Sequence, residues 1–161
     1  MHSRLTRDRY FNDFFRYISN SGQFSKTRQF IQHGDTSVYS HCVAVAYVSL
    51  WFSYRLHLSV SKQSLLMGAF LHDYFLYDWH KIKTKGLPHG FSHPKTALFN
   101  AKRDFSINEV EENIIRRHMF PLTAVPPKYK ESLIVCLADK ICAVTETFKM
   151  RRFIIGMNKN K

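Results

Sequence analysis

An imidazole and a carboxylate stand side by side at the end of a strongly apolar segment, LLMGAFLHDYFLYDWH, in which His72 and Asp73 follow the run that begins at Leu65. Burying an unpaired carboxylate costs much free energy, and metal coordination is one of the few ways to offset that cost. His41 precedes the pair and Asp139 follows it, which gives the order H…HD…D. Nitrogen and oxygen donors of this kind suit divalent first-row metals. The segment therefore predicts a fold with a metal site in its interior.

Helical periodicity runs along most of the chain, and no stretch shows a convincing two-residue alternation. In the clearest case, His41 lies on the same helical stripe as Val38, Val45, Val48 and Phe52 and should point inward with it. We therefore predict an all-α helical bundle with no sheet. The expected helices cover residues 6–20, 25–32, about 37–56, 62–74, 93–103, 107–118 and 128–150, and residues 77–92 form a loop over the site.

Local signals mark several of these helix ends. Ser37 or Thr36 can cap the third helix and Ser61 the fourth. Ser92-His93-Pro94 should start the next helix, with proline in the first turn where its missing N–H costs little. A capping box is predicted at Ser106-Ile-Asn-Glu109. On the first helix, the side facing the core is predicted to carry Tyr10, Phe14, Tyr17 and Ile18.

Size and composition favour one globular domain. The chain has 161 residues, a hydrophobic content of 45% and 14 Phe, which is enough to bury a full core. We expect a single domain over residues 1–161, with a core of about 33–150, a short helical N-terminal extension and a basic C-terminal tail. The three cysteines include no CxxC pair, and neither a signal peptide nor a membrane span is evident, so we expect a cytoplasmic protein.

The charge is strongly basic, with 24 Lys and Arg against 12 Asp and Glu, for a net charge of +12. One interpretation is a generally basic surface. Another is attraction of a small anionic substrate, since a positive field raises the encounter rate with phosphates. Binding to nucleic acid is a third, but no interleaved aromatic and basic repeat supports it. The sequence does not indicate an oligomeric state.

The ordered set His41, His72-Asp73 and Asp139 resembles the HD superfamily of metal-dependent phosphohydrolases, and the resemblance extends from about His33 to Glu146. It implies a helical bundle in which these four residues bind a first metal ion. In dinuclear members the residue that corresponds to Asp73 bridges two ions. The HD dipeptide alone is a weak signal, whereas the ordered set is a specific one.

Two further histidines extend the resemblance to a dinuclear, nucleotide-cleaving type of site. His93, in HPKTALFNA, and His118, in RRHMFPL, stand where such proteins place ligands of a second ion. His89 is the alternative to His93, since it lies four residues earlier in the same HGFSH segment. The implied cofactor is a divalent metal, with two ions of iron or manganese favoured and cobalt, nickel, magnesium or zinc as alternatives.

Candidate substrate contacts are less well marked. Leu76 stands where many family members carry lysine in HDxxK, so any phosphate contact must come from elsewhere. Lys140 matches a lysine of the nucleotide-cleaving branch. The remaining candidates for substrate contact are His33, Lys95 and Arg117. Asp78 and His80, in LYDWH, could orient a metal ligand or lie at the mouth of the site.

The resemblance therefore implies an enzyme, a phosphohydrolase that cleaves a phosphate ester or anhydride, with a nucleotide as the favoured substrate, by means of a metal-activated hydroxide. Two other functions stay open. One is a dinuclear iron oxygenase of the HD type, and the other is a non-catalytic module that binds a metal or a nucleotide. No Walker loop, GxGxxG or CxxC zinc pattern supports a different chemistry.

Overall fold

The computed structural model describes residues 8–81 and 88–148 as a mostly helical bundle with one small hairpin. The prediction of an all-α bundle is confirmed. A 3-10 helix, Phe24–Gln29, precedes the hairpin. The other elements, in chain order, are α1 Arg9–Ser19, β1 Ile31–His33, β2 Thr36–Ser37, α2 Val38–Arg55, α3 Lys62–Leu71, α4 His89–Asp104, α5 Glu109–Arg117 and α6 Lys130–Thr147.

Two of the predicted helix caps are present. The Ser37 side chain accepts a hydrogen bond from the N–H of Ser40 at the start of α2, and Ser61 does the same for Ser64 at the start of α3. Each serine thereby satisfies one of the N–H groups that a helix leaves unpaired at its first turn. These caps fix the starts of the two helices that carry His41 and lead to His72.

The capping box of α5 lies two residues later than predicted. Asn108, not Ser106, accepts from the N–H of Glu111, and the Glu111 carboxylate accepts from the N–H of Asn108, both at 3.0 Å. The pairs Ser106–Glu109 and Asn108–Glu111 both have the spacing of the motif, but in the observed box Glu111 is buried. α5 ends at Arg117, directly before His118.

The face that α1 turns toward the core agrees only in part with the predicted one. Ile18 is buried and Phe14 packs against the core, as predicted, but Tyr10 and Tyr17 remain 43% and 53% exposed and Phe11 is buried in their place. The Phe11 ring packs near Phe70 of α3, with 5.9 Å between ring centroids. A tyrosine keeps its hydroxyl in water at the edge of such a face, whereas phenylalanine gains only by burial.

A short antiparallel hairpin contradicts the expectation that the chain has no sheet. β1 and β2 pair Ile31 with Ser37 and His33 with Thr36. Gly34, in the turn, has a φ of 57°, a left-handed conformation that glycine adopts without a steric penalty. Strands of two and three residues are too short to show alternation in a sequence.

The boundaries of α4 and α6 also differ from the predicted ones. α4 begins at His89 rather than at Ser92 or His93, so that Pro94 lies inside the helix and the predicted loop is shorter. Proline there removes one intrahelical hydrogen bond. The first turn keeps its own bonds, since the N–H groups of Phe91 and Ser92 donate to the carbonyl of Pro88. α6 covers Lys130–Thr147, and the predicted end at residue 150 lies outside the described residues.

Buried side chains of α2, α3, α5 and α6 form the centre of the bundle. Cys42, Cys136 and Cys142 are all buried, and none of them forms a disulfide bond. Within residues 8–81 and 88–148, no helix combines the length and apolarity needed to cross a membrane.

Gly68 allows α3 to approach α5 closely. A Cβ atom at Gly68 would lie 2.8 Å from Cβ and Cγ2 of Ile114 and would also collide with its Cδ1. This close approach brings the His72 and His118 rings to 4.9 Å between centroids, so the packing of the two helices shapes the interior site.

Gly68→Ala should destabilise the protein despite the better helix propensity of alanine. Overpacking of this kind costs about 1–3 kcal/mol, against roughly 1 kcal/mol gained from propensity. Urea unfolding of both proteins measures the difference. In an Ile114→Ala background the same substitution should cost less, because most of the colliding atoms are gone. Equal costs in the two backgrounds would contradict this account.

Candidate metal centre

Six side chains with nitrogen or oxygen donor atoms, from five segments, converge in the interior of the bundle. His41 lies in the first turn of α2, His72 caps the end of α3 and Asp73 follows it. The other donors are His93 in the second turn of α4, His118 at the end of α5 and Asp139 in the middle of α6. All six side chains are buried. The structure thus brings together the six residues that the sequence favoured as ligands.

The first cluster is formed around His41 and His72. Their Nε2 atoms lie 3.3 Å apart, and Asp73 Oδ2 lies 3.7 Å from the first and 3.5 Å from the second. Asp139 Oδ1 lies 3.1 Å from Nε2 of His41 and 3.7 Å from Nε2 of His72. Both Nε2 atoms therefore lie within 3.7 Å of an oxygen of each acid, and His41, His72 and Asp73 form a group that could hold a metal ion.

The second cluster is formed by His93, His118 and the other oxygen of Asp73. The two Nε2 atoms lie 2.8 Å apart, and Oδ1 of Asp73 lies 3.1 Å from His93 Nε2 and 3.5 Å from His118 Nε2. Each oxygen of Asp73 thus faces a different pair of histidines. A carboxylate in this position can bridge two neighbouring cations.

Backbone contacts determine which nitrogen of three imidazoles carries hydrogen. Nδ1 of His72 lies 2.8 Å from the carbonyl oxygen of Ala69. Nδ1 of His93 lies 2.8 Å from the carbonyl oxygen of His89, and Nδ1 of His118 lies 2.9 Å from that of Ile115. A carbonyl oxygen only accepts, so Nδ1 must be the donor, and in the neutral ring Nε2 presents its lone pair to the cluster. This is the tautomer that binds a metal through Nε2.

The donor arrangement fits a divalent ion by distance and by charge. Ligand bonds of about 2.1 Å place neighbouring donors about 3.0 Å apart around an octahedral ion and about 3.4 Å apart around a tetrahedral one. The donor separations of 2.8–3.7 Å lie near these values. Asp73 Oδ1 accepts no well-aligned hydrogen bond from the described residues, although it is buried. A cation between the lone pairs would satisfy it and relieve their repulsion.

The pKa values follow from burial and from these close charges. Burial alone lowers the pKa of His41, but hydrogen bonds with Asp139 and Glu146 outweigh burial and raise it to about 10. Burial lowers the pKa of His118 to about 3, with further lowering by His72 and His93, so this ring stays neutral. Burial would raise the pKa of Asp73, but the surrounding histidines hold it below its usual range. The carboxylate is therefore ionised, as a metal ligand must be.

Two polar residues at the centre were absent from the predicted site. Glu146 Oε2 lies 2.8 Å from Nδ1 of His41 and accepts its hydrogen, which orients Nε2 toward the cluster. The Gln32 amide donates to Oδ2 of Asp73. The spacing of seven residues between Asp139 and Glu146, two turns on one helix face, was a signal for Glu146. Gln32 has no such signal, because the strand that carries it is only three residues long and shows no alternation.

A pocket of about 930 Å³ opens onto the centre, and several of the residues proposed for substrate contact line it. Asp73, His93, His118 and Asp139 are among its lining residues, which gives a ligand in the pocket direct access to the donor atoms. His33, His80, His89 and Lys140 line it as well.

The contacts of these lining residues differ. Lys140 Nζ donates to the carbonyl of His118 at 2.6 Å and lies 3.5 Å from Asp139 Oδ2. His89 stacks on Trp79, with 4.7 Å between centroids, and its carbonyl accepts from His93. His93, not His89, thus contributes Nε2 to the second cluster.

The other nominated residues lie at the edge of the pocket or away from it. Asp78 accepts from the N–H of His80 and pairs with Lys81, so it organises the turn after Tyr77. Lys95 is exposed on α4 and Arg117 half-buried at the end of α5, and neither is among the residues that line the pocket.

Comparison with known families agrees with this geometry. The sequence model of the HD domain matches residues 38–144, which is more than half of the chain. The chain belongs to the HD domain family. No curated protein and no solved structure matches it at a significant level. The HD domain connects the chain with a superfamily of metal-dependent hydrolases, and its buried His/Asp cluster is suited to a divalent metal.

Removal of the Glu146 carboxylate should weaken metal binding without unfolding the HD domain. Glu146→Ala leaves His41 Nδ1 without its acceptor, and loss of such an outer contact typically costs about 10–100-fold in metal affinity. Titration of the metal-free protein with Mn²⁺ measures the effect. Glu146→Gln keeps an acceptor oxygen and should lose less, and Glu109→Ala, an exposed site on α5, is the control. An Mn²⁺ affinity of Glu146→Ala equal to that of the wild type would contradict the proposed effect of Glu146 on metal binding.

Proposed function

We propose that this HD domain is a metal-dependent phosphohydrolase that cleaves a phosphate ester or anhydride of a small molecule, with nucleotides as the favoured substrates. The observation that carries the proposal is the division of the two Asp73 oxygens between two histidine pairs at the base of an open pocket. His41, His72, Asp73 and Asp139 would hold one ion, and Asp73, His93 and His118 would hold a second.

A bound divalent metal supplies Lewis-acid chemistry, in that it acidifies a water molecule and polarises a phosphoryl oxygen. The protein contributes a buried set of donors whose tautomers are already fixed, so little reorganisation is needed. The pocket walls also include apolar side chains such as Met119, Pro121 and Leu122.

Lys140 supports an anionic substrate at this pocket. It is the one lysine or arginine among the lining residues described by the structure, and its hydrogen bond to the His118 carbonyl holds it beside Asp139. An ammonium has three donors, so it can bind a phosphate oxygen while keeping that contact. We propose His33 as a second contact, since it lines the pocket and its ring lies 5.3 Å from that of His41.

The experiment that tests the proposed function is a phosphate-release screen with the manganese- or iron-loaded protein over nucleoside mono-, di- and triphosphates and dinucleotides. Asp73→Ala should lose both metal and hydrolysis, because it removes a donor from each cluster. Asp13→Ala, which removes an exposed carboxylate on α1, should keep both. An Asp73→Ala protein that retains full metal content would contradict the assigned centre.

The same donors also suit iron, and an oxygenase of the HD type is tested by its need for oxygen. Assays under air and under nitrogen separate the two reactions, because hydrolysis consumes no oxygen. Phosphate release that is equal in both atmospheres supports the proposal. Product formation that stops under nitrogen would contradict hydrolysis and indicate an oxygenase.

The second ion is tested by counting metal. His118→Ala should lower the metal content from about two ions to about one per chain, because it removes a donor from one cluster and leaves the other intact. Activity should fall steeply. His57→Ala is the matched control, since His57 is exposed beyond the end of α2, roughly 20 Å along the helix from His41. A wild-type protein that saturates at one ion, with no change in His118→Ala, would contradict the dinuclear site.

A further inference from the structure

Gln32 lies in the middle of β1 and is only 6% exposed, although its side chain is polar. Its Nε2 group donates a hydrogen bond to Oδ2 of Asp73. This orientation of the amide is required, because the opposite one would set Oε1 against a carboxylate oxygen. The same Oδ2 lies 3.7 Å from Nε2 of His41 and 3.5 Å from Nε2 of His72.

The second polar atom of this amide is not satisfied. Oε1 of Gln32 is buried and has no hydrogen-bond donor among the residues that the structure describes. Leaving a buried acceptor unpaired costs about 1–3 kcal/mol, so such an atom calls for a ligand. Gln32 lines the same pocket as Asp73, and a donor that enters this pocket can reach it.

The hairpin fixes the position of Gln32. His33 pairs with Thr36 across the turn, and the N–H of Val38 donates to the carbonyl of Phe30 at 2.8 Å. β2 continues directly into α2, which carries His41. The amide and the first imidazole of the centre are therefore held by one continuous segment.

We propose that Gln32 is a positioning residue of the metal centre, with a different task for each end of its amide. The N–H holds Asp73 Oδ2 in the orientation that lets the carboxylate serve both clusters. Oε1 accepts a hydrogen bond from the water molecule that attacks the substrate beside Asp73. The second task rests on the proposed hydrolytic function, whereas the first does not.

Metal affinity tests the first task. The full-length, metal-free protein is titrated with Mn²⁺, and Gln32→Met, which keeps the length of the side chain but has no hydrogen-bonding amide, should bind about 10–100-fold more weakly than wild type. Gln29→Met is the matched control, because the same substitution falls three residues earlier at an exposed position. Gln32→Met with wild-type affinity would overturn the positioning role.

The integrity of the fold is checked by circular dichroism of the same samples. If Gln32→Met does not fold, Gln32→Asn takes its place, because its amide is one methylene too short to reach Asp73. The expected loss of affinity is the same, and the absence of a loss again overturns the role.

Turnover at saturating Mn²⁺ tests the second task. Gln32→Glu keeps an acceptor oxygen at this position but loses the N–H, and Gln32→Met loses both. With the phosphate ester found in the screen, kcat of Gln32→Glu should exceed that of Gln32→Met several-fold, while KM stays similar in both. Equal kcat values would overturn the role of Oε1.

The failure of this inference can be told apart from failure of the proposed function. If the wild-type protein binds Mn²⁺ but releases phosphate from no substrate, the hydrolytic function and the role of Oε1 fail together. The titration of Gln32→Met still decides whether Gln32 positions Asp73, because that measurement needs no substrate.

Discussion

The burial of the Asp73 carboxylate is the constraint on which the rest of the structure depends. It is 1% exposed and lies at the end of an apolar helix, where an ionised group is stable only with cationic or hydrogen-bonding partners. Two histidine pairs face its two oxygens, and Gln32 donates to one of them. The bundle is thus arranged so that α2, α3, α4, α5 and the hairpin all reach this one carboxylate, and α6 adds a second acid beside His41.

Helix ends and close helix packing deliver these partners. α3 stops at Leu71 and α5 at Arg117, so that His72 and His118 leave their helices at the same level of the bundle. Gly68 lets the two helices approach closely enough for the rings to meet. Tyr74 anchors the turn after Asp73, because its hydroxyl accepts from the N–H of Gln23 and donates to Asp104.

Much of the bundle and all six proposed ligands could be predicted from the sequence, because their signals are local or ordered. The apolar stripe of α2 pointed His41 inward, and serine caps marked the starts of α2 and α3. Other features could not be predicted from the sequence, for physical reasons. The hairpin is too short for alternation, and two overlapping capping boxes look alike until the burial of Glu111 separates them. Gln32 meets Asp73 only through the tertiary fold, since 41 residues separate them.

Three of the imidazoles are oriented by carbonyl groups of their own helix. His72 uses Ala69, His118 uses Ile115 and His93 uses His89, each three or four residues back along the chain. The direction of each ring is therefore encoded within one helical turn, independently of the pocket wall. Residues such as Met119 and Leu122 can then change without disturbing the aim of the imidazoles. A centre built this way keeps the direction of its imidazoles when side chains of the pocket wall change, because each ring is oriented by the backbone of its own helix.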